Sequence, residues 1–219
     1  NTITLSGEGT LGNTNAIVLN NSNSKLLLNS ITVDNVSTSA DSLGIDVDAD
    51  STVTSLSVSH ITPVSIAAGK SLSGAVTVTA GSLKLNETGT LASTIAMSGG
   101  TLDSDESSTV SGALSHTADI EIDVATSKTL TYSGAAISLG ANTITLSGGG
   151  SLVSGGLTLN DADSKLLLNS ITLDSVSTTA DSLGLDVDAN STITSLSVGH
   201  ITPVSIASNK TLSGAITVS

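Results

Sequence analysis

Asn1-Thr-Ile-Thr-Leu-Ser-Gly7 returns as Asn142-Thr-Ile-Thr-Leu-Ser-Gly148. Lys25-Leu-Leu-Leu-Asn-Ser30 returns as Lys165-Leu-Leu-Leu-Asn-Ser170, and His60-Ile-Thr-Pro-Val-Ser-Ile66 as His200-Ile-Thr-Pro-Val-Ser-Ile206. The offset is 141 at the start and 140 after a one-residue slip. Self-similarity of this kind marks a repeat architecture, in which each unit buries its apolar side only against its neighbours. Residues 1–79 therefore match 142–219, residues 80–141 are the intervening coils, and 1–219 reads as one continuous segment. The second copy reaches Val218-Ser219, the match of Val78-Thr79, and the chain opens at Asn1 without Met. We expect the array to continue in a longer parent chain.

A shorter rhythm runs inside the large repeat. Small residues follow strand-like runs at Gly74, Ser93, Gly112, Gly134 and Gly155, spaced by 19, 19, 22 and 21 residues. A period near twenty suits one coil of a parallel β-solenoid, whose short strands stack on those of adjacent coils. Seven such coils make the 140-residue unit, and the whole chain would hold about eleven, or roughly 50 Å of rod at ~4.8 Å per coil. Ile3/Leu5, Ala75-Val-Thr-Val78, Ile120-Glu-Ile-Asp-Val124 and Ile144-Thr-Leu146 alternate apolar and polar as half-buried strands do. No segment sustains a helical apolar period. Gly7, Gly9, Gly148–Gly150, Asn20, Asn21 and Asn160-Asp161 lie between the runs, where positive φ is accepted at corners. Between copies Val33 becomes Leu173, Ile45 becomes Leu185, Val53 becomes Ile193 and Val76 becomes Ile216. Aliphatic character is kept while size varies, as inward ladders worth about 1.5–3 kcal/mol per buried side chain require.

Composition narrows the function. The 219 residues include a single aromatic, Tyr132, with no Cys and no Arg; only 11% are charged, and the net charge is −13. A fold without aromatic anchors relies on aliphatic packing inside and small polar residues outside. Six Lys against nineteen acidic residues disfavours binding to phosphate backbones. Without Cys there is neither a disulfide framework nor a thiolate metal site. No apolar run is long enough to span a bilayer.

Several residue groups invite a chemical reading. Asp46-Val-Asp48-Ala-Asp50 recurs as Asp186-Val-Asp188-Ala-Asn190. In a strand these carboxylates lie outward while Ile45, Val47 and Ala49 point in, so Asp46, Asp48, Asp50, Asp186 and Asp188 present oxygen ligands for Ca²⁺. Ser51 stands where an EF-hand needs Gly, and the competing reading is a solvated acidic face that opposes aggregation. Asp103, Asp105 and Glu106 form a second acidic group of the same kind. Gly7-Glu-Gly9-Thr-Leu-Gly12 fits a dinucleotide fingerprint, yet no helix pattern follows it. His60 and His200 are equivalent residues seven coils apart, ~34 Å along the rod, so they cannot share one site within the chain. Thr-x-Thr pairs at Thr2, Thr52, Thr77, Thr129, Thr143 and Thr192 invite an ice-binding reading, but intervals of 50, 25, 52, 14 and 49 break the required register. An enzyme is not expected. Sugar subsites want aromatic platforms and cationic clamps, and the second copy replaces Glu8 by Gly149 and Asp50 by Asn190.

Gly69-Lys-Ser-Leu-Ser-Gly74, Ser127-Lys-Thr-Leu-Thr-Tyr-Ser-Gly134 and Gly140-Ala-Asn-Thr-Ile-Thr-Leu-Ser-Gly-Gly-Gly150 resemble the repeats of large bacterial surface proteins, nearest to autotransporter passengers and filamentous-haemagglutinin-like adhesins. The likeness covers essentially the whole chain, and its motifs specify coil geometry rather than a ligand. It implies a right-handed parallel β-helix, secreted, serving as stalk, fibre or adhesive surface, and it carries over no functional residues. Because a solenoid end is an open sheet edge, the expected partner is the same array, through end-to-end self-association or continuation of its coils. No cofactor is expected apart from Ca²⁺ on the Asp strips. The alternative to a structural role is a surface module using those strips for Ca²⁺-mediated adhesion to fibres or glycans; a polysaccharide-active enzyme comes third.

Overall fold

The computed structural model describes all residues 1–219 and contains only strands, turns and bends. Its strands build the parallel solenoid that the repeat predicts. One column runs the length of the rod as an eleven-stranded parallel sheet, the first face, from Thr2–Ser6 through Gly44–Val47, Ile120–Val124 and Thr143–Ser147 to Val204–Ile206. Each strand belongs to one coil, so the chain makes eleven coils. A sixteen-stranded sheet forms the remaining wall. In coils 2–4 and 9–11 a single bent strand, such as Ser51–Val58 or Ser191–Val198, covers both the second and the third face. Elsewhere a corner divides that strand in two, as in Thr90–Leu91 and Thr94–Met97.

Period-2 alternation sets what faces inward. On the first face Leu26, Ile45 and Val64 stack in register, as do Leu28, Val47 and Ile66, and all six are buried. Forty-three buried residues form one cluster, so the core is a continuous filament of aliphatic ladders through the rod. The small-residue rhythm marks a real corner between the second and third faces. A Cβ added at Gly74 would lie 1.8 Å from the Val53 carbonyl oxygen, and one at Gly112 would lie 1.9 Å from that of Ser93. The coils pass too closely there for a side chain pointing along the rod. Ser93 occupies the same column because its hydroxyl bends back to donate to the Leu72 carbonyl at 3.3 Å.

That serine belongs to a wider departure from the expected polar exterior. Thr62, Ser93, Ser104 and Ser164 are fully enclosed. Their hydroxyls donate to backbone carbonyls: Thr62 to His60 at 3.0 Å, Ser104 to Glu106 at 2.8 Å and Ser164 to Gly140 at 2.6 Å. A narrow coil must turn three times in about twenty residues, and at each corner some carbonyls leave the ladder. A short hydroxyl side chain satisfies them without adding bulk.

The third face is interrupted once. Its ladder runs from Ile17–Leu19 up to Leu114–His116, and a second ladder runs from Ile137–Ser138 to the end of the chain, with no strand pairing between the two. The lone aromatic stands at this break. Tyr132 points inward, nearly buried, and its phenolic oxygen accepts the Leu114 N–H at 3.0 Å. One ring nitrogen of His116 lies 3.0 Å from the Ser138 carbonyl across the same gap. Side chains thus take over where backbone pairing stops.

Candidate functional site

The charged groups concentrate on the outside of the first face and at the corners. Lys25 pairs with Asp46 in the next coil, and its counterpart Lys165 pairs with Asp186 at 2.7 Å. In the middle coils Lys84 bridges Asp103 at 2.8 Å and Asp105 at 3.0 Å, while Lys128 pairs with Glu106. The Lys84 ammonium is held above its ordinary value, chiefly by its hydrogen bond to Asp103. Asp103 is itself pushed above the usual carboxylate range, chiefly by burial, because one of its oxygens is enclosed without a partner. It also stacks in register on Asp123. This is a cross-coil ion ladder, broken wherever Ser65 or Pro63 takes the outward place.

The five Asp residues read as Ca²⁺ ligands do not converge. Asp46 and Asp186 are engaged by lysine. Asp48 and Asp188 are exposed on the strand-to-corner turn. Asp50 receives the Ser71 N–H at 2.8 Å and the Ser71 hydroxyl at 3.0 Å. No three His, Asp or Glu side chains gather at a spacing that would hold a metal ion.

Asp50 instead exposes a function of the acidic residues that the sequence reading missed. Asn190, its counterpart, accepts the Thr211 N–H at 3.1 Å through an amide oxygen. Asp41 accepts the Ile61 N–H, Asp181 that of Ile201 and Asp119 that of Thr143, each from the following coil. At a corner the backbone N–H turns out of the sheet, and a short side-chain oxygen from the coil below receives it, as an N-cap does at a helix start. The signal was present in the Asp50-to-Asn190 exchange, which removes the charge and keeps the acceptor.

The remaining candidates are dispersed. Gly7–Gly9 form a bend leading into the two-residue strand Thr10–Leu11, and no helix follows Gly12. His60 shares a hydrogen bond with the Ser59 hydroxyl, and His200 lies 3.8 Å from Asp181 at the far end of the rod. The Thr-x-Thr pairs fall on different faces: Thr2/Thr4 on the first, Thr52/Thr54 on the second and Thr77 on the third. A corner depression of about 300 Å³ is lined by Glu8, Ser30, Thr32, Asp50, Ser71 and Ser73.

The most distinctive surfaces are the two ends. Val64, Ile66, Val76 and Val78 in coil 4 are 1, 2, 2 and 0% exposed, whereas their counterparts Val204, Ile206, Ile216 and Val218 in coil 11 are 43, 47, 60 and 76% exposed. Ile3 in coil 1 is 49% exposed, and its counterpart Ile144 is fully buried. Edge strands Thr2–Ser6, Val204–Ile206 and Leu212–Val218 each pair with one neighbour only. No helix is long and apolar enough to cross a membrane. Comparison with family models, curated proteins and solved structures found no match to this chain.

Proposed function

We propose that this chain is a structural segment of an extracellular bacterial fibre, stalk or giant adhesin, a rod that extends by stacking coil on coil. The observation that carries this reading is the contrast between the ends and their internal copies. Nearly the same residues are buried when another coil covers them and exposed when none does. Such a face combines apolar area with an unpaired strand edge, the two ingredients of coil-on-coil association. The ion pairs and corner caps along the sides engage one coil with the next and support a load-bearing role rather than turnover. Extracellular placement and bacterial origin rest on the resemblance of the coil motifs to adhesin and passenger repeats.

Electron microscopy of concentrated protein, with and without a calcium chelator, tests the reading. Filaments of constant width that persist in chelator are the expected result. Filaments that dissolve in chelator would transfer the role to Ca²⁺ bridging by Asp48, Asp188 and their neighbours. Turnover of a polysaccharide that one carboxylate substitution abolishes would overturn the structural role.

A further inference from the structure

The two end faces have internal copies whose partners are visible within the same chain. Residues 24–79 and 164–219 differ at twelve positions, and apart from Ser59/Gly199 and Gly69/Asn209 the exchanges keep size or polarity, so the open face of coil 11 is a near replica of the upper face of coil 4. Coil 4 is covered by coil 5. There the N–H groups of Asn86, Gly89, Thr90, Ala92 and Ser98 donate to the carbonyls of Val64, Ile66, Lys70, Leu72 and Val78, at 2.8–3.2 Å. The same five residue types recur in coil 11 as Val204, Ile206, Lys210, Leu212 and Val218. The fit also has a steric key, because a Cβ at Gly81 would lie 2.5 Å from the His60 carbonyl carbon.

Coil 1 is the replica of coil 8, which rests on coil 7. In that junction the Gly150 N–H donates to Val124 and the Ser151 N–H to Lys128, both at 2.9 Å, and Asp119 receives the Thr143 N–H at 2.7 Å. A Cβ at Gly150 would lie 2.5 Å from the Ala125 carbonyl oxygen. The equivalent residue in coil 1 is Gly9, and nothing lies within 4 Å of the Cβ position there. Direct apposition of coil 1 on coil 11 is a poorer match. Aligning Gly9-Thr-Leu11 with Gly89-Thr-Leu91 puts Asn1 in the place of Gly81 and Asn13 in that of the enclosed Ser93.

We infer that the two ends of this chain fit the two opposite sides of a further copy of the three-coil block 80–141 better than they fit each other; within the chain that block is already covered by coil 4 below and coil 8 above. The inference rests on the rod reading and gives it a period: coil 11 takes the lower side of that copy's coil 5, the upper side of its coil 7 takes coil 1, and the rod propagates in steps of seven coils. The block is a specific adaptor, and the ends are not generic sticky edges.

The test lengthens the full chain at Ser219 by a second copy of residues 80–141 and compares both chains by sedimentation and electron microscopy. The lengthened chain should form filaments at concentrations where residues 1–219 alone stay monomeric. Gly9→Val in the lengthened chain should raise the concentration needed for assembly by more than about tenfold, as one backbone clash at a stacked interface does. Its melting curve should be unchanged, because a Cβ at residue 9 meets nothing within 4 Å in the molecule. Equal polymerisation of the unextended chain, or indifference of the filaments to Gly9→Val, would overturn the inference. So would a lengthened chain that remains a single particle. If that particle is a rod longer by about 14 Å, three further coils, the rod reading itself stands; a particle that is no longer than before would overturn that reading as well.

Discussion

Leu28, Val47 and Ile66 stand directly above one another on the first face, each in contact with the next and shielded from water. A charge introduced at the middle of that ladder has no counter-ion and no solvent. Val47→Asp should therefore cost about 3–5 kcal/mol, read as a large fall in the denaturation midpoint. An unchanged midpoint would mean that the inward and outward sets are reversed. Tyr132 makes a different kind of demand, because its ring packs in the core while its hydroxyl serves the Leu114 N–H. Tyr132→Phe keeps the packing and strands that donor, so a loss of about 1–3 kcal/mol is expected, with faster amide exchange at Leu114. Asp50 predicts the opposite outcome. Since Asn190 performs the same capping, Asp50→Asn should shift stability by no more than about 0.5 kcal/mol, whereas Asp50→Ala should cost about 1 kcal/mol.

Strands and corners differ in how openly the sequence declares them. The outward and inward sets of Ile120–Val124 follow from simple alternation, and the corner at Gly74 and Gly112 follows from the twenty-residue rhythm. What alternation does not encode is the destination of a polar side chain at a corner. Ser93 and Ser104 turn inward to carbonyls, and Asp41, Asp50 and Asp119 reach up to the next coil. Both depend on which backbone group a neighbour some twenty residues away leaves unpaired. The break in the third face was illegible for the same reason, although the lone Tyr132 marks its place. The Lys84 ladder makes a prediction at this scale. Its ammonium holds its proton more tightly in the fold than in the unfolded chain, whose value is about 10.5. The resulting stability is fully present below pH 10.5 and is lost as the pH rises through the folded value. Stability curves of wild type and Lys84→Met should converge across that alkaline window. Asp103 is raised too, so the native state takes up its proton first, and stability gains as the pH falls through its folded value; Asp103→Asn should lack that gain.

At the scale of the whole molecule, stability is a sum of nearest-neighbour junctions, and the ends are the places where one junction is missing. A compact domain hides its apolar residues on all sides, but this rod hides them only where a coil follows. The near-identical segments 64–78 and 204–218 therefore act as an internal control, since their intrinsic chemistry is almost the same and only their cover differs. Hydrogen exchange measured on the dilute chain tests this directly. The amides of Val64–Val78 should be strongly protected while those of Val204–Val218 exchange by orders of magnitude faster, as fraying edges do, and the difference should vanish once filaments form. Equal protection of the two segments in the dilute chain would contradict the claim that coil stacking holds this protein together.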